Sequence, residues 1–170
     1  MNKNTALLIV DTQQELFERN KSIYNEDILI RNINRLEYAA RKAGRPVVYI
    51  QHESSGFLKK NTPGWQLHKG LNPHKGDLFV GKKEGNAFFE TLLHDLLKER
   101  GITRVVVCGL LSQLCVRRTC FGALELGYET VVAADAHSNW SKYPEKTIAD
   151  VNRKIAKSGG KDIRTEDIVF

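Results

Sequence analysis

Short apolar runs alternate with longer stretches of helical periodicity along the whole chain. Runs such as residues 6–10 contain no polar residue, which is typical of strands covered on both faces of a parallel sheet. The predicted strands cover residues 6–10, 47–50, 78–81, 104–108, 128–134 and 162–164. The predicted helices cover residues 27–43, 86–100, 115–126 and 144–157. This alternation predicts an α/β fold: a Rossmann-like three-layer sandwich, with a central, mostly parallel sheet of about six strands and helices on both faces.

No feature of the sequence divides the chain into separate units. It contains no internal repeat, low-complexity tract or linker, and its 170 residues are enough to bury one continuous core. We therefore expect a single domain over residues 1–170. The longest stretch without periodicity, residues 51–77, contains Pro63, Gly64 and Pro73. A connection of that length in a compact domain usually has a function of its own.

The charge and hydrophobicity of the chain bear on whether it binds nucleic acid or a membrane. The formal net charge of +6 would suit nucleic acid, but basic pairs such as Arg41-Lys42 and Arg117-Arg118 are scattered among acidic residues. No basic stripe with interleaved aromatic residues is present, so we expect no nucleic-acid partner. No apolar run approaches the ~20 residues that span a bilayer, so we expect no membrane partner.

The cysteines and the first residues bear on the compartment. The three cysteines lie within residues 108–120, and neither their odd number nor their spacing fits a disulfide scaffold. Residues 1–5 lead straight into the first apolar run, which is unlike a secretory signal peptide. We therefore expect a reducing, cytoplasmic location.

Cys115 differs from the other two cysteines in its position. It follows a predicted buried strand and the turn of residues 109–114, and it opens a predicted helix. The positive end of a helix dipole favours a thiolate, so we expect the pKa of Cys115 to lie well below the ordinary value of ~8.5. Cys108 and Cys120 lie on apolar faces and are predicted to be packing residues.

Three polar residues fall at or just beyond the ends of predicted strands. Asp11 ends the first, Lys82 ends the third, and Cys115 follows the fourth. If the first and fourth strands are neighbours, Asp11 and the cysteine turn meet at the ligand crevice of the sheet. An aspartate there could take the thiol proton, and a lysine could keep the aspartate ionised. Each residue alone also fits a structural role, as a loop hydrogen bond, a solvated amine or a packing residue.

A non-catalytic module is the rival interpretation of these residues. A Rossmann-like domain could bind a nucleotide or sense oxidation through Cys115. The glycine-rich G-x-G-x-x-G fingerprint is missing after the first strand, where residues 11–14 are Asp-Thr-Gln-Gln, which counts against nucleotide binding.

Three motifs carry a resemblance to a known family. Residues 8–13 with Leu16-Phe17 match an opening strand and D-x-Q segment, Lys82 with residues 86–88 matches K-x-x-x-[SN]-A-F, and residues 107–116 match a G-x-x-[TS]-x-x-C-V turn. On these motifs the chain resembles, over nearly its whole length, the isochorismatase-like cysteine hydrolases. That group includes nicotinamidases and N-carbamoylsarcosine amidohydrolase.

The resemblance implies a catalytic triad of Asp11, Lys82 and Cys115. It also implies a non-proline cis peptide between Leu110 and Leu111, and an oxyanion hole formed by the N–H groups of Leu111 and Cys115. The implied activity is hydrolysis of a carbon–nitrogen bond in a small amide, ureido or carbamoyl compound through a covalent thioester. Family members commonly form dimers or larger assemblies, so a homo-oligomer is expected.

Departures from the family pattern bear on metal and substrate. Nicotinamidases bind a metal through a D-x-H pattern where this chain has Gln51-His52-Glu53. Because glutamine is a poor metal ligand, we expect no metal and no other cofactor. The isochorismate branch protonates a vinyl ether without using the cysteine, so Cys115 disfavours that alternative activity.

Residues for the substrate pocket come from the loops after the first, second and fifth strands. The candidates are Phe17, His52, Trp65 and Trp140. Each also fits a surface or subunit contact. His137 lies in a segment that resembles the family's stretch after the fifth strand, and it is assigned no role.

Overall fold

A computed structural model describes residues 4–170 of the chain. Within that range six strands form one sheet, and every pair of neighbouring strands is parallel. The strands are β1 (Thr5–Val10), β2 (Val47–His52), β3 (Leu78–Lys82), β4 (Arg104–Leu110), β5 (Glu129–Ser138) and β6 (Lys161–Ile163). The α-helices are α1 (Gln14–Phe17), α2 (Glu26–Lys42), α3 (Leu93–Glu99), α4 (Arg117–Glu125) and α5 (Pro144–Lys157). The predicted α/β sandwich is confirmed.

The sheet order places β1 and β4 side by side. The order is β3-β2-β1-β4-β5-β6, so the chain builds outward from β1 in one direction and then returns to extend the sheet in the other. Val10 at the end of β1 pairs with Gly109 in β4. Ligands of open parallel sheets bind beyond the carboxyl ends of the strands at such a reversal of order. The neighbouring strands required for Asp11 and the cysteine turn to meet are therefore present.

Helices cover both faces of the sheet, which explains the continuous apolar runs. Along β1, Leu7 and Ile9 pack on the same side as Ile33 of α2, whereas Leu8 and Val10 pack on the side of α3, α4 and α5. All six β1 residues are buried. Each aliphatic side chain buried in this way stabilises the fold by about 1.5–3 kcal/mol.

The helix predicted from residue 86 begins later than expected, at Leu93. Residues 83–92 form bends and turns, because Asn86 uses its side chain to accept a hydrogen bond from the Phe88 N–H at 3.0 Å. Glu90 has a φ of 51°, in the left-handed region that interrupts a right-handed helix. The prediction followed the apolar periodicity and did not anticipate this local competition between side chain and backbone.

Strand β5 is longer than predicted and reaches Ser138 rather than residue 134. Its register against β4 shifts between Val107 and Gly109: Val107 pairs with Val132, and Gly109 pairs with His137. The irregularity carries His137 to the same edge of the sheet as the cysteine turn.

Two further findings complete the description of the chain. No helix within residues 4–170 has both the length and the apolar composition needed to cross a membrane. The sequence analysis found residues 1–5 unlike a secretory signal peptide. Residues 1–3 of that segment lie outside the described range.

Candidate active site

The backbone at the β1/β4 reversal is unusual on both strands. Asp11 follows β1 with a φ of 46°, which non-glycine residues rarely adopt. Gly109 has a φ of 110°, and a Cβ placed there would lie 2.1 Å from the Val10 oxygen. Only glycine allows the two strands to approach this closely. The next peptide bond, between Leu110 and Leu111, is cis, as the family resemblance implied.

The Lys82 ammonium is the centre of the site. Lys82 ends β3 in register with His52, and its fully buried side chain reaches across to β1. Its Nζ lies 2.9 Å from Asp11 Oδ2 and 3.4 Å from Cys115 Sγ. It also donates to the Glu84 oxygen at 2.9 Å and lies 3.2 Å from His52 Nδ1. An ammonium has three protons for these four neighbours, so the two longest contacts, to His52 and Cys115, share one of them.

The loop after β3 is fixed to helix α4, which follows the cysteine turn. The Ala87 N–H donates to Thr119 Oγ1 at 3.1 Å. The Asn86 side chain lies so close to Gly122 that a Cβ there would be 2.3 Å from Asn86 Oδ1. These contacts therefore fix the position of the segment after Lys82 relative to the helix that follows Cys115.

The Cys115 thiol is protonated in this arrangement, and the expected lowering of its pKa is wrong. Burial is the largest cause and the negative charge of Asp11 adds to it, while the Lys82 ammonium opposes both; together they raise the pKa of Cys115 to about 12. The sulfur lies inside a π-helical turn, Ser112–Val116, and packs against an apolar core ahead of α4. Burial and the charge of Asp11 therefore favour the thiol over the thiolate in this arrangement.

Asp11 can receive the thiol proton without changing the charge of the site. Its Oδ2 is paired with Lys82, whereas its Oδ1 is buried and has no hydrogen-bond partner among the described residues. A proton that moves from Cys115 to Asp11 leaves one positive and one negative charge in place. The thiolate is then formed by transfer within the site rather than by release of a proton to solvent.

The four pocket candidates occupy different positions around this centre. His52 contacts Lys82 directly, and burial together with the Lys82 charge lowers the pKa of its ring. Because Lys82 donates to Nδ1, the ring proton of His52 belongs on Nε2. Phe17 and Trp140 pack against the core on the α2 side, which includes Leu111 next to the cysteine turn.

Trp65 holds the long loop through its main chain. Its oxygen accepts hydrogen bonds from Gln13 Nε2 at 2.9 Å and from Gln51 Nε2 at 3.1 Å. Its indole Nε1 is buried and has no hydrogen-bond partner within the described part of the chain. Trp65 therefore has a clear structural role and a polar group that a ligand could use.

His137, to which the sequence analysis assigned no role, is hydrogen-bonded through both ring nitrogens. Asn152 Nδ2 donates to the Ala134 oxygen, so Asn152 Oδ1 faces His137 Nε2 at 2.8 Å. His137 Nδ1 then accepts from Ser112 Oγ at 2.8 Å, which ties the cysteine turn to β5 and α5. Burial is the main cause that lowers the pKa of His137 to about 4. A longer predicted fifth strand would have been the signal, because it places His137 beside that turn.

The histidines do not gather around a metal position. Gln51 donates to the Trp65 oxygen, His68 Nε2 lies 3.1 Å from Glu26 Oε1, and His74 contacts Asn72. Among residues 4–170 no group of three or more His, Cys, Asp or Glu side chains is arranged to hold a metal ion.

A surface groove of the protein lies away from these residues. It has a volume of about 740 Å³, runs along α2 past Tyr38 and His68, and is not lined by any of Asp11, Lys82 and Cys115. The site is therefore defined by its chemistry and by the strand topology rather than by this groove.

Known proteins are similar to this chain in sequence. A family model described as Isochorismatase domain matches residues 5–165. The chain is 36% identical to a streptothricin hydrolase of Streptomyces noursei, a match that covers 79% of the chain and 54% of that protein. It is 29% identical to the ureidoacrylate amidohydrolase RutB of Pseudomonas syringae pv. syringae, over 78% of the chain and 69% of that enzyme.

A solved structure agrees closely with the whole fold. The crystal structure of an isochorismatase family protein covers 96% of the chain and 99% of its own length, with a TM-score of 0.89 and 26% sequence identity. The chain spans about half the length of the streptothricin hydrolase that it matches. Because the family model covers all but the ends of the sequence, the chain belongs to the isochorismatase family of hydrolases.

Proposed function

We propose that the protein is a metal-independent cysteine hydrolase that cleaves a carbon–nitrogen bond of a small amide, ureido or carbamoyl substrate. The observation that carries this proposal is the position of Lys82 Nζ, 2.9 Å from Asp11 Oδ2 and 3.4 Å from Cys115 Sγ. A carboxylate and a thiol that both contact one ammonium are the groups that acyl transfer through a thioester requires.

The first half of the reaction forms the thioester. Asp11 takes the proton of Cys115, and the sulfur attacks the carbonyl carbon of the substrate. The N–H groups of Leu111 and Cys115 donate hydrogen bonds to the oxyanion that develops. Asp11 then gives its proton to the departing nitrogen as the carbon–nitrogen bond breaks.

The second half regenerates the enzyme. Water gives a proton to Asp11 and attacks the thioester carbon, and the carbon–sulfur bond breaks to release the acid product. The proton on Asp11 returns to the Cys115 sulfur. Lys82 remains charged throughout and stabilises whichever of Asp11 and Cys115 carries the negative charge.

Two features support this proposal over the alternatives. RutB is an amidohydrolase by its name, and the S. noursei relative is a hydrolase of streptothricin. Asp11 Oδ1 is buried and has no partner among the described residues, so the carboxylate that influences the Cys115 thiol keeps a free acceptor, which a purely structural aspartate would not need. We propose that Phe17, His52, Trp65 and Trp140 contribute to the walls of the substrate pocket.

Ammonia release from a panel of primary amides and ureido compounds, measured in chelator, tests the function. Wild type should release ammonia and Cys115→Ala should not, whereas Cys120→Ala removes a fully buried thiol that is not part of the triad and should retain turnover. Full turnover by Cys115→Ala, or activity that only added metal restores, would contradict the mechanism. Activity on a vinyl ether alone would point to the isochorismate type of reaction.

A further inference from the structure

Arg19 is an exposed cation held between two aromatic rings. Its Cζ lies 4.1 Å from the centre of the Phe57 ring and 5.9 Å from that of Trp140. Cation–π contacts of this kind hold a guanidinium plane in one orientation. Arg19 is therefore positioned by the fold rather than free in solvent.

The topology places this arginine above the ends of the central strands. Phe57 follows β2 and Trp140 follows β5, and these two strands are separated in the sheet by β1 and β4. Neighbouring strands lie about 4.8 Å apart, so β2 and β5 are roughly 14 Å apart. A single guanidinium that contacts a ring from each side requires the two loops to meet over β1 and β4. Asp11 and the cysteine turn lie at the ends of those strands.

The positive charge of Arg19 is not neutralised within the described part of the chain. The two acids nearest in sequence are engaged elsewhere: Glu15 Oε2 accepts from the Leu58 N–H at 2.7 Å, and Glu18 Oε1 accepts from Gln14 Nε2 at 2.8 Å. None of the ion pairs among residues 4–170 includes Arg19. A stacked guanidinium keeps its edge N–H groups available, and their fork matches the two oxygens of a carboxylate.

We propose that Arg19 binds an anionic group of the substrate, so that the enzyme acts on amide or ureido compounds that also carry a carboxylate. This inference rests on the proposed function for the bond that is cleaved. Phe57 and Trp140 set the orientation of the guanidinium, and Arg19 supplies the charge that separates acidic substrates from neutral ones of similar size.

Two alkylating reagents of nearly equal size test the charge without requiring turnover. Iodoacetate is anionic and iodoacetamide is neutral; with either, the Cys115 sulfur bonds to the CH2 carbon and iodide leaves. Arg19→Gln should lower the rate of Cys115 alkylation by iodoacetate about tenfold relative to iodoacetamide, because a charge-assisted contact is lost. Arg19→Lys should retain part of the preference. Arg35→Gln, which changes an exposed arginine of α2, should leave the ratio unchanged.

Turnover provides the second measurement. N-carbamoylglycine and N-(2-hydroxyethyl)urea differ by a carboxylate in place of a hydroxymethyl group. Arg19→Gln should raise the KM for the acid about tenfold and leave kinetics with the neutral analogue unchanged. An unchanged reagent ratio in Arg19→Gln, or an equal loss with both members of each pair, overturns the assignment. If Cys115→Ala retains turnover, the proposed function fails, and the alkylation ratio still decides the role of Arg19.

Discussion

Two groups of buried charges in this molecule are built in opposite ways. On the α2 side of the sheet, Glu37 accepts from the Tyr49 hydroxyl at 2.5 Å and pairs with Arg41 at 3.5 Å. Asp77 receives two hydrogen bonds from the same guanidinium, at 3.2 and 2.6 Å. At the β1/β4 reversal, one oxygen of Asp11 has no partner among the described residues.

The difference separates a structural network from a reactive one. Buried charges that serve stability are saturated with hydrogen bonds, because each unmade bond costs free energy. Burial raises the pKa of Glu37, yet its neighbours satisfy both of its oxygens. Asp11 keeps one acceptor position open beside a protonated thiol. An incomplete network is what a site needs if a proton is to move within it.

The sharpest test of the contrast is the removal of Lys82. Lys82→Met should lower turnover about a thousandfold, because the triad loses the charge that stabilises both Asp11 and the thiolate. Lys83→Met is the matched control, since Lys83 is the exposed neighbour in sequence, and it should retain activity. Steady-state kinetics on the same amide would decide, and equal losses in both variants would refute a special role for Lys82.

The acid stability of the protein tests the network that holds the cysteine turn. His137 has a pKa of about 4 in the folded protein, against an ordinary value of 6.5. Above pH 6.5 the ring is neutral in both folded and unfolded states. As pH falls, the unfolded chain binds the proton first, so the free energy of unfolding should drop by about 3 kcal/mol by pH 4.

Urea unfolding from neutral pH down to pH 4 measures that dependence. His137→Gln cannot titrate, so its stability should fall less steeply over this range than that of wild type. Parallel curves for the two proteins would mean that other groups cause the acid loss.

Disrupting the saturated network should weaken the fold without touching the chemistry. Arg41→Met leaves Asp77 and Glu37 without their cation and should lower the free energy of unfolding by about 2 kcal/mol. The value of kcat/KM per folded molecule should stay within twofold of wild type. Arg31→Met, another arginine of α2 with an exposed side chain, is the control for the loss of a charge. Normal stability and lost turnover in Arg41→Met would contradict the assignment of this network to stability rather than to the reaction.

The last prediction concerns the thiol itself. Because the pKa of Cys115 is raised to about 12, alkylation by iodoacetamide should accelerate about tenfold per pH unit between pH 7 and 10. Mass spectrometry after limited labelling should find Cys115 modified before the fully buried Cys108 and Cys120. A plateau in the rate below pH 8.5 would show that the thiolate forms more readily than burial allows.

The sequence was sufficient to predict that Asp11, Lys82 and the cysteine turn lie at the same edge of the sheet. Asp11 and Lys82 lie where apolar runs end, and the alternation of strands and helices places such ends along one edge of the sheet. The sequence could not predict that the pKa of Cys115 is raised. That shift depends on burial and on the position of Asp11, which only the folded structure determines.

His137 was assigned no role from the sequence for a related reason. The predicted fifth strand ended at residue 134, whereas β5 continues through an irregular register that no periodicity encodes. The start of α3 was misplaced because Asn86 can either cap a helix or bond its own loop. Sequence patterns locate helices and strands well. They do not fix where an element begins or ends when two local conformations compete.

The cation of the site is supplied by an outermost strand. Within residues 4–170, β3 pairs only with β2, and Lys82 is its last residue. Peripheral strands are generally among the first parts of a sheet to open, since they have hydrogen bonds on one side alone. Partial melting of this border would withdraw the ammonium while the rest of the molecule remained folded. On heating, catalysis should therefore cease some degrees before the global transition, which makes turnover a reporter of the integrity of the sheet margin.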